Sequence, residues 1–191
     1  ARQLGSAVDA AHAQGVVHRD LKPENIFVLS NASSGTSVKI VDFGISKIQN
    51  AETALTRPGE VIGTPYYMSP EQARGDRTID HRTDLFALGA VFYEALTGEA
   101  PFKGETPNQV LRSILLEDIT SPREHNSELS EEVCRVLEKA LSKAPEDRFQ
   151  SGRELAEALE SAARGEQAVT GVPGPSEVPR QSSERRSIEP E

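Results

Sequence analysis

The chain has 191 residues, 36% of them hydrophobic, and a formal net charge of −9. That length carries one ordinary domain with a buried core, and the modest apolar share leaves part of the chain outside it. The acidic balance, with no cluster of Lys and Arg interleaved with aromatics, argues against a nucleic-acid partner, and a lone cysteine, Cys134, rules out an internal disulfide or a Cys-rich metal site.

No apolar run approaches the roughly 20 residues that span a bilayer. The nearest, FALGAVFYEAL, is interrupted by Glu94. No membrane segment is expected within the chain; a cytoplasmic location is, with any anchor lying beyond residue 191. The opening ARQLGSAV has no initiator Met and no signal-peptide pattern and reads as helix interior, so the chain is expected to be part of something longer.

Leu4, Val8 and Ala11 recur at helical steps ahead of Gly15, which predicts an amphipathic helix over about residues 2–14 with a glycine C-cap. IFVL at 26–29 and VKIV at 38–41 read as a small hairpin joined by the polar stretch SNASSGTS, and IFVL, like VV at 16–17, is a short apolar run destined for a core. Between Asp42 and Glu71 periodicity disappears, the mark of a long functional loop. Residues 83–97 are apolar nearly all round the helical wheel and predict a central, sheathed helix.

Thr106 and Pro107 then open a helix with the stripe Val110, Leu111, Ile114 and Leu115. Ser130 caps another, buried through Val133, Val136, Leu137, Ala140 and Leu141. Ser151 and Glu154 form a capping box ahead of Leu155, Ala158, Leu159 and Ala162. From residue 164 the sequence has four prolines and no aromatic residue and cannot bury enough surface to order itself. The expected fold class is mainly α with a small β-hairpin.

Between the two apolar runs of VVHRDLKPENIFVL lies a dense polar cluster. Asp20 and Asn25 precede one strand and Asp42 closes its partner, so a hairpin would gather two carboxylates and an amide. Oxygen ligands of that kind suit Mg2+ together with phosphate oxygens, and Lys22 offers a compact positive charge for a phosphate.

HRDLKPEN (18–25) and DFG (42–44) resemble the catalytic loop and metal-binding motif of eukaryotic-type protein kinases. GTPYYMSPE (63–71) is similar to the end of their activation loop, DLFALG (84–89) to their central helix, and PEDRF (145–149) to their late arginine. Five motifs in the family's order are far more specific than DFG alone. The wording of GTPYYMSPEQARG and PEDRFQSGRELAEAL resembles bacterial, Hanks-type serine/threonine kinases in particular.

The resemblance implies a protein-kinase-like fold, with residues 1–163 the C-lobe portion of the catalytic domain and 164–191 a disordered linker. The N-lobe elements of a complete kinase, a Gly-rich loop and a strand lysine, are not found in this sequence, so the chain alone is expected to be inactive. ATP and Mg2+ are the implied cofactors. The implied partners are proteins with Ser or Thr acceptors, and autophosphorylation in trans is expected. Asp20 would take or orient the hydroxyl proton, Lys22 would contact the transferred phosphate, and Asn25 and Asp42 would hold Mg2+.

DLKPEN, with Lys22 two residues after the base, is the serine/threonine form of the loop, and Thr64 would steady Asp20 and Lys22. Arg19 is implied to pair with an activation-loop phosphate; Thr53 and Thr56 are the candidate acceptors, with ordinary polar loop residues the competing reading. Glu71 and Arg148 are expected as a buried bridge, Asp84 as a partner of the HRD backbone, and His18 and Phe43 as packing elements. Tyr66 and Tyr67 are expected to pack beneath the substrate loop, and His12, His81 and His125 to be surface or satisfied histidines without a metal. Two rivals stand beside this reading. One is a pseudokinase that only recruits partners; the other is a small-molecule kinase, which GTPYYMSPE and the long loop disfavour.

Overall fold

Leu4 and Val8 stand one turn apart on helix α1 (Arg2–His12), and both are buried. The computed structural model describes residues 1–31, 35–42 and 65–165. After α1 come strands β1 (Ile26–Asn31) and β2 (Gly35–Ile40), then helices α2 (Pro70–Arg74), α3 (Arg82–Thr97), α4 (Pro107–Leu116), α5 (Pro122–His125), α6 (Glu131–Ala140) and α7 (Gly152–Ala163). Among the described residues no helix is long and apolar enough to cross a membrane.

Every residue from Thr83 to Tyr93 on α3 is buried, as its all-round apolar wheel predicts. Leu85, Phe86, Leu88 and Tyr93 join Val110, Ile114, Leu137, Phe149 and Leu155 in one core. Gly89 sets the approach of α6: a Cβ there would lie 2.8 Å from that of Ala140, closer than side chains tolerate. At the other end α1 crosses α7 where Gly5 meets Gly152. Asp9 accepts from the Gly152 and Arg153 amides (2.6 and 2.9 Å), capping α7 from another helix.

The hairpin differs from expectation in its turn and its exposure. β1 and β2 pair antiparallel with Ile26 opposite Ile40 and Ser30 opposite Thr36, so much of the polar stretch SNASSGTS is ladder, not connection. Serine and threonine pair readily across strands on a solvated face. The side chain of Gln3 on α1 pairs with the outer edge of β2, donating to Thr36 O (2.9 Å) and accepting from Val38 N (2.7 Å). Phe27, Val28 and Leu29, whose side chains alternate between the two faces of the hairpin, are exposed, at 51, 64 and 46%, where the sequence predicts core.

The helix caps follow the sequence with one shift. Thr106 caps α4 in a full box with Gln109, and Ser130 caps α6. Ser151 accepts from Glu154 N, yet the Glu154 carboxylate turns back to the amide of Gln150, one residue before the cap. Cys134 is buried on α6 and burial raises its thiol pKa, as befits a packing residue.

Ser69 and Gln72 form a capping box at the start of α2, which presents Glu71 to the core. Arg148, fully buried in its side chain, meets it with both terminal nitrogens, Nη1 to Oε1 and Nη2 to Oε2, each at 2.8 Å. It also donates to the carbonyls of Ser142 (2.7 Å), Arg82 (3.2 Å) and Lys143 (2.9 Å) and lies over the Phe86 ring. All five guanidinium donors are thus used. Burial alone would raise the Glu71 carboxyl; the Arg148 hydrogen bonds and charge outweigh it and hold the pKa below its ordinary value.

Arg148→Ala strands a carboxylate in the core and is expected to cost about 3 to 5 kcal/mol in urea unfolding. Because the folded Glu71 carboxyl is held low, its contribution is complete above its unfolded value of 4.5 and fades as pH falls through the lowered one. Glu71→Gln, measured from pH 7 down to 3, should accordingly lose part of the acid dependence seen in the parent. At the α3–α6 crossing, Gly89→Ala is expected to cost about 1 to 3 kcal/mol. Adding Ala140→Gly should recover much of it, and a double-mutant cycle without coupling would place the contact elsewhere.

Candidate active site

The turn that carries HRD is held from below by a buried acid. Asp84, 1% exposed on the first turn of α3, accepts from His18 N through Oδ2 and from Arg19 N through Oδ1, both at 2.8 Å. His12 Nε2, at the end of α1, lies 2.8 Å from the same Oδ2. Three donors from two segments therefore converge on one carboxylate. This is the role that the resemblance implies for Asp84, with His12 added; the His12 ring also meets His81 edge to face at 5.2 Å. His12, expected as a surface or satisfied histidine, is half satisfied: Nε2 meets the buried acid, while its buried Nδ1 has no hydrogen-bond partner among the described residues.

His18 is 2% exposed and joins the turn to β2. Asp20 N donates to its Nδ1 (3.3 Å), so that nitrogen is the acceptor, and Nε2 carries the proton toward Val41 O (3.0 Å). Asp20 and the residue before Asp42 are in this way tied through a single ring. The sequence reading gave His18 only packing. Its hydrogen-bonded bridge across 23 positions has no local sequence signal.

Asn25 ends a 3-10 turn formed by Pro23–Asn25, where the proline ring presets the first position. Its side chain, on a residue 6% exposed, donates from Nδ2 to Asp20 O (2.9 Å), and its carbonyl accepts from Val41 N (3.0 Å). Nδ2 being engaged, the amide oxygen is left as the acceptor end. Lys22 Nζ stands 3.3 Å from Asp20 Oδ2, both side chains partly open to solvent. Asp42, exposed at the end of the hairpin, takes a left-handed backbone with φ 56°. Residues 20, 22, 25 and 42 are thus joined by direct bonds or by one intervening residue.

The donor set is one of oxygens, and no group of three or more His, Cys, Asp or Glu gathers among the described residues. Thiolate or imidazole metals have no cage here. A carboxylate at Asp42 and an amide oxygen at Asn25, with phosphate oxygens completing the shell, fit Mg2+.

Arg19 also has a left-handed backbone, φ 62°, and its buried Nε has no hydrogen-bond partner among the described residues. Its carbonyl accepts from Gln72 Nε2 on α2 (2.8 Å). Tyr66 and Tyr67 pack against the core beside α3, and the Tyr67 hydroxyl donates to Glu94. Burial, then that contact, raises the Tyr67 phenol pKa. Phe43, Thr53, Thr56 and Thr64 lie outside the described residues.

Residues 1–161 match the family model described as the protein kinase domain. The serine/threonine-protein kinase PknB of Mycobacterium leprae is 42% identical over 78% of the chain, and Pkn1 of Myxococcus xanthus is 42% identical over 84% of it. In each case the chain spans 23% of the relative's length. The crystal structure of the Mycobacterium tuberculosis PknI kinase domain is similar with a TM-score of 0.61 at 28% identity, over 84% of this chain and 51% of that one. With the HRD turn, the DFG aspartate and the Glu71–Arg148 bridge arranged as described, the chain belongs to the protein kinase domain family, on the branch of bacterial serine/threonine kinases.

Proposed function

We propose that the protein of which these 191 residues are given transfers the γ-phosphate of ATP to serine or threonine hydroxyls of protein substrates. The observation that carries this reading is the Asn25–Asp20 bond together with the Val41–Asn25 bond, which join the HRD and DFG motifs at one rim. Asp20 holds the acceptor hydroxyl and takes its proton as the phosphate is transferred; Lys22, beside it, steadies the phosphate by charge. Asn25 and Asp42 are the residues that would hold Mg2+, which neutralises phosphate charge when bound.

Lys22 after the base supports a serine/threonine rather than a tyrosine acceptor. The exposed apolar row Phe27, Val28 and Leu29, two residues beyond Asn25, is surface for the nucleotide and the elements that cover it. Residues 1–163 act as the catalytic domain's C-lobe portion. Neither a Gly-rich loop nor a VAIK-type lysine occurs in the 191 residues, so transfer is to be measured on the full-length kinase.

In that protein Asp20→Ala and Asp42→Ala should each slow transfer of radiolabelled phosphate to a serine peptide by about 10² to 10⁴. Unchanged rates in both would exclude the mechanism. Activation by loop phosphorylation is the second part of the reading, supported by the buried Nε of Arg19, which has no hydrogen-bond partner among the described residues. A guanidinium with an idle donor suits a phosphate. Mass spectrometry of active enzyme should find phosphate on Thr53 or Thr56, and alanine at both should lower the rate; finding neither effect would remove this step.

A further inference from the structure

Arg19 is a β-carbon residue held in the left-handed region, one position before the proposed base. That conformation disfavours any residue but glycine by about 1 to 2 kcal/mol and persists where surrounding contacts over-determine it. The contacts are on the page. Asp84 holds the Arg19 amide from one side, and Gln72 Nε2 holds its carbonyl from the other at 2.8 Å.

Gln72 does two things with one amide. Its Oε1 accepts from Ser69 N (3.1 Å), completing the cap of α2, while Nε2 reaches across 53 positions to Arg19 O. Ser69 Oγ in turn bonds Thr83 Oγ1 (2.6 Å), the residue before Asp84. The path from Arg19 N through Asp84, its chain neighbour Thr83, Ser69 and Gln72 to Arg19 O therefore closes a ring around one residue and holds the peptide units on both sides of it. We infer that Gln72 is a positioning residue: it fixes the Arg19–Asp20 peptide so that the Asp20 carboxylate meets the acceptor hydroxyl in register. It couples the end of the activation segment to the base through one hydrogen bond, a task separate from capping its own helix.

The two halves of the amide can be separated. Gln72→Glu keeps an acceptor for Ser69 N and removes the donor to Arg19 O; Gln72→Lys keeps a donor and removes the acceptor. The inference rests on the kinase reading above, so both variants are made in the full-length kinase, with kcat, KM, melting temperature and amide exchange at residues 18–21 read in each. Gln72→Glu is expected to lower kcat by about 10- to 100-fold with little change in KM for ATP or peptide and no loss of melting temperature, since a misplaced reacting group is felt at the transition state. Its amides at Arg19 and Asp20 should exchange faster. Gln72→Lys should retain kcat within about threefold even though its helix cap is weakened.

Wild-type kcat in Gln72→Glu, or equal losses in the two variants, would assign Gln72 to capping alone and overturn the inference. Should the wild-type enzyme transfer no phosphate, the kinase reading fails, and the clasp is then decided by exchange: faster in Gln72→Glu only, it stands; equal in both, it falls.

Discussion

A carboxylate taken out of water must find hydrogen bonds or give up its charge. Asp84 is 1% exposed, and its three donors are the amides of His18 and Arg19 and the ring of His12. Bonds to a charged group are worth about 1.5 to 3 kcal/mol each, while the left-handed backbone at Arg19 opposes by about 1 to 2 kcal/mol. The acid therefore wins, and the chain before Asp20 has little freedom to adopt another turn. The geometry of the proposed base follows from the solvation of a residue more than 60 positions away.

The same helix holds a second buried charge by different means. Arg82 contributes its carbonyl, and Phe86 its ring, to Arg148, whose partner Glu71 lies in the first turn of α2. A pair so buried adds little net stability over an apolar substitute, since desolvation offsets the attraction. Its contribution is specificity: five directed donors admit one placement of α2 against α3. Asp84 fixes the HRD turn and Arg148 fixes α2, both against α3, which is sheathed on most sides and has no room to shift.

Elements whose physics is local were legible in the sequence. The periodic stripes of α4, α6 and α7 and the serine and threonine caps appear within a residue or two of expectation, because period and capping act over one or two turns. Glu71, Arg148 and Asp84 were legible through their motifs, being charges fixed among apolar neighbours. The hairpin turn was misjudged since Ser30, Thr36 and Ser37 read as loop yet satisfy a solvated strand equally well. His12 and Gln72 carried no signal. Each is an ordinary residue on a helix, and what distinguishes it is a partner 53 or 72 positions distant, which no window of sequence contains.

Burial sorts the site into two classes. His18, Asn25 and Asp84 are nearly or wholly out of water, and each has named partners within the chain. Asp20 and Lys22 are partly exposed and Asp42 is open. The inner residues are rigid because leaving them unsatisfied is costly; the outer ones are reachable from solvent. A site of reacting groups at a rim, each one bond from a buried and satisfied support, suits phosphoryl transfer, where the protein supplies position and charge rather than covalent chemistry. Phe27, Val28 and Leu29 leave exposed apolar area adjoining that rim.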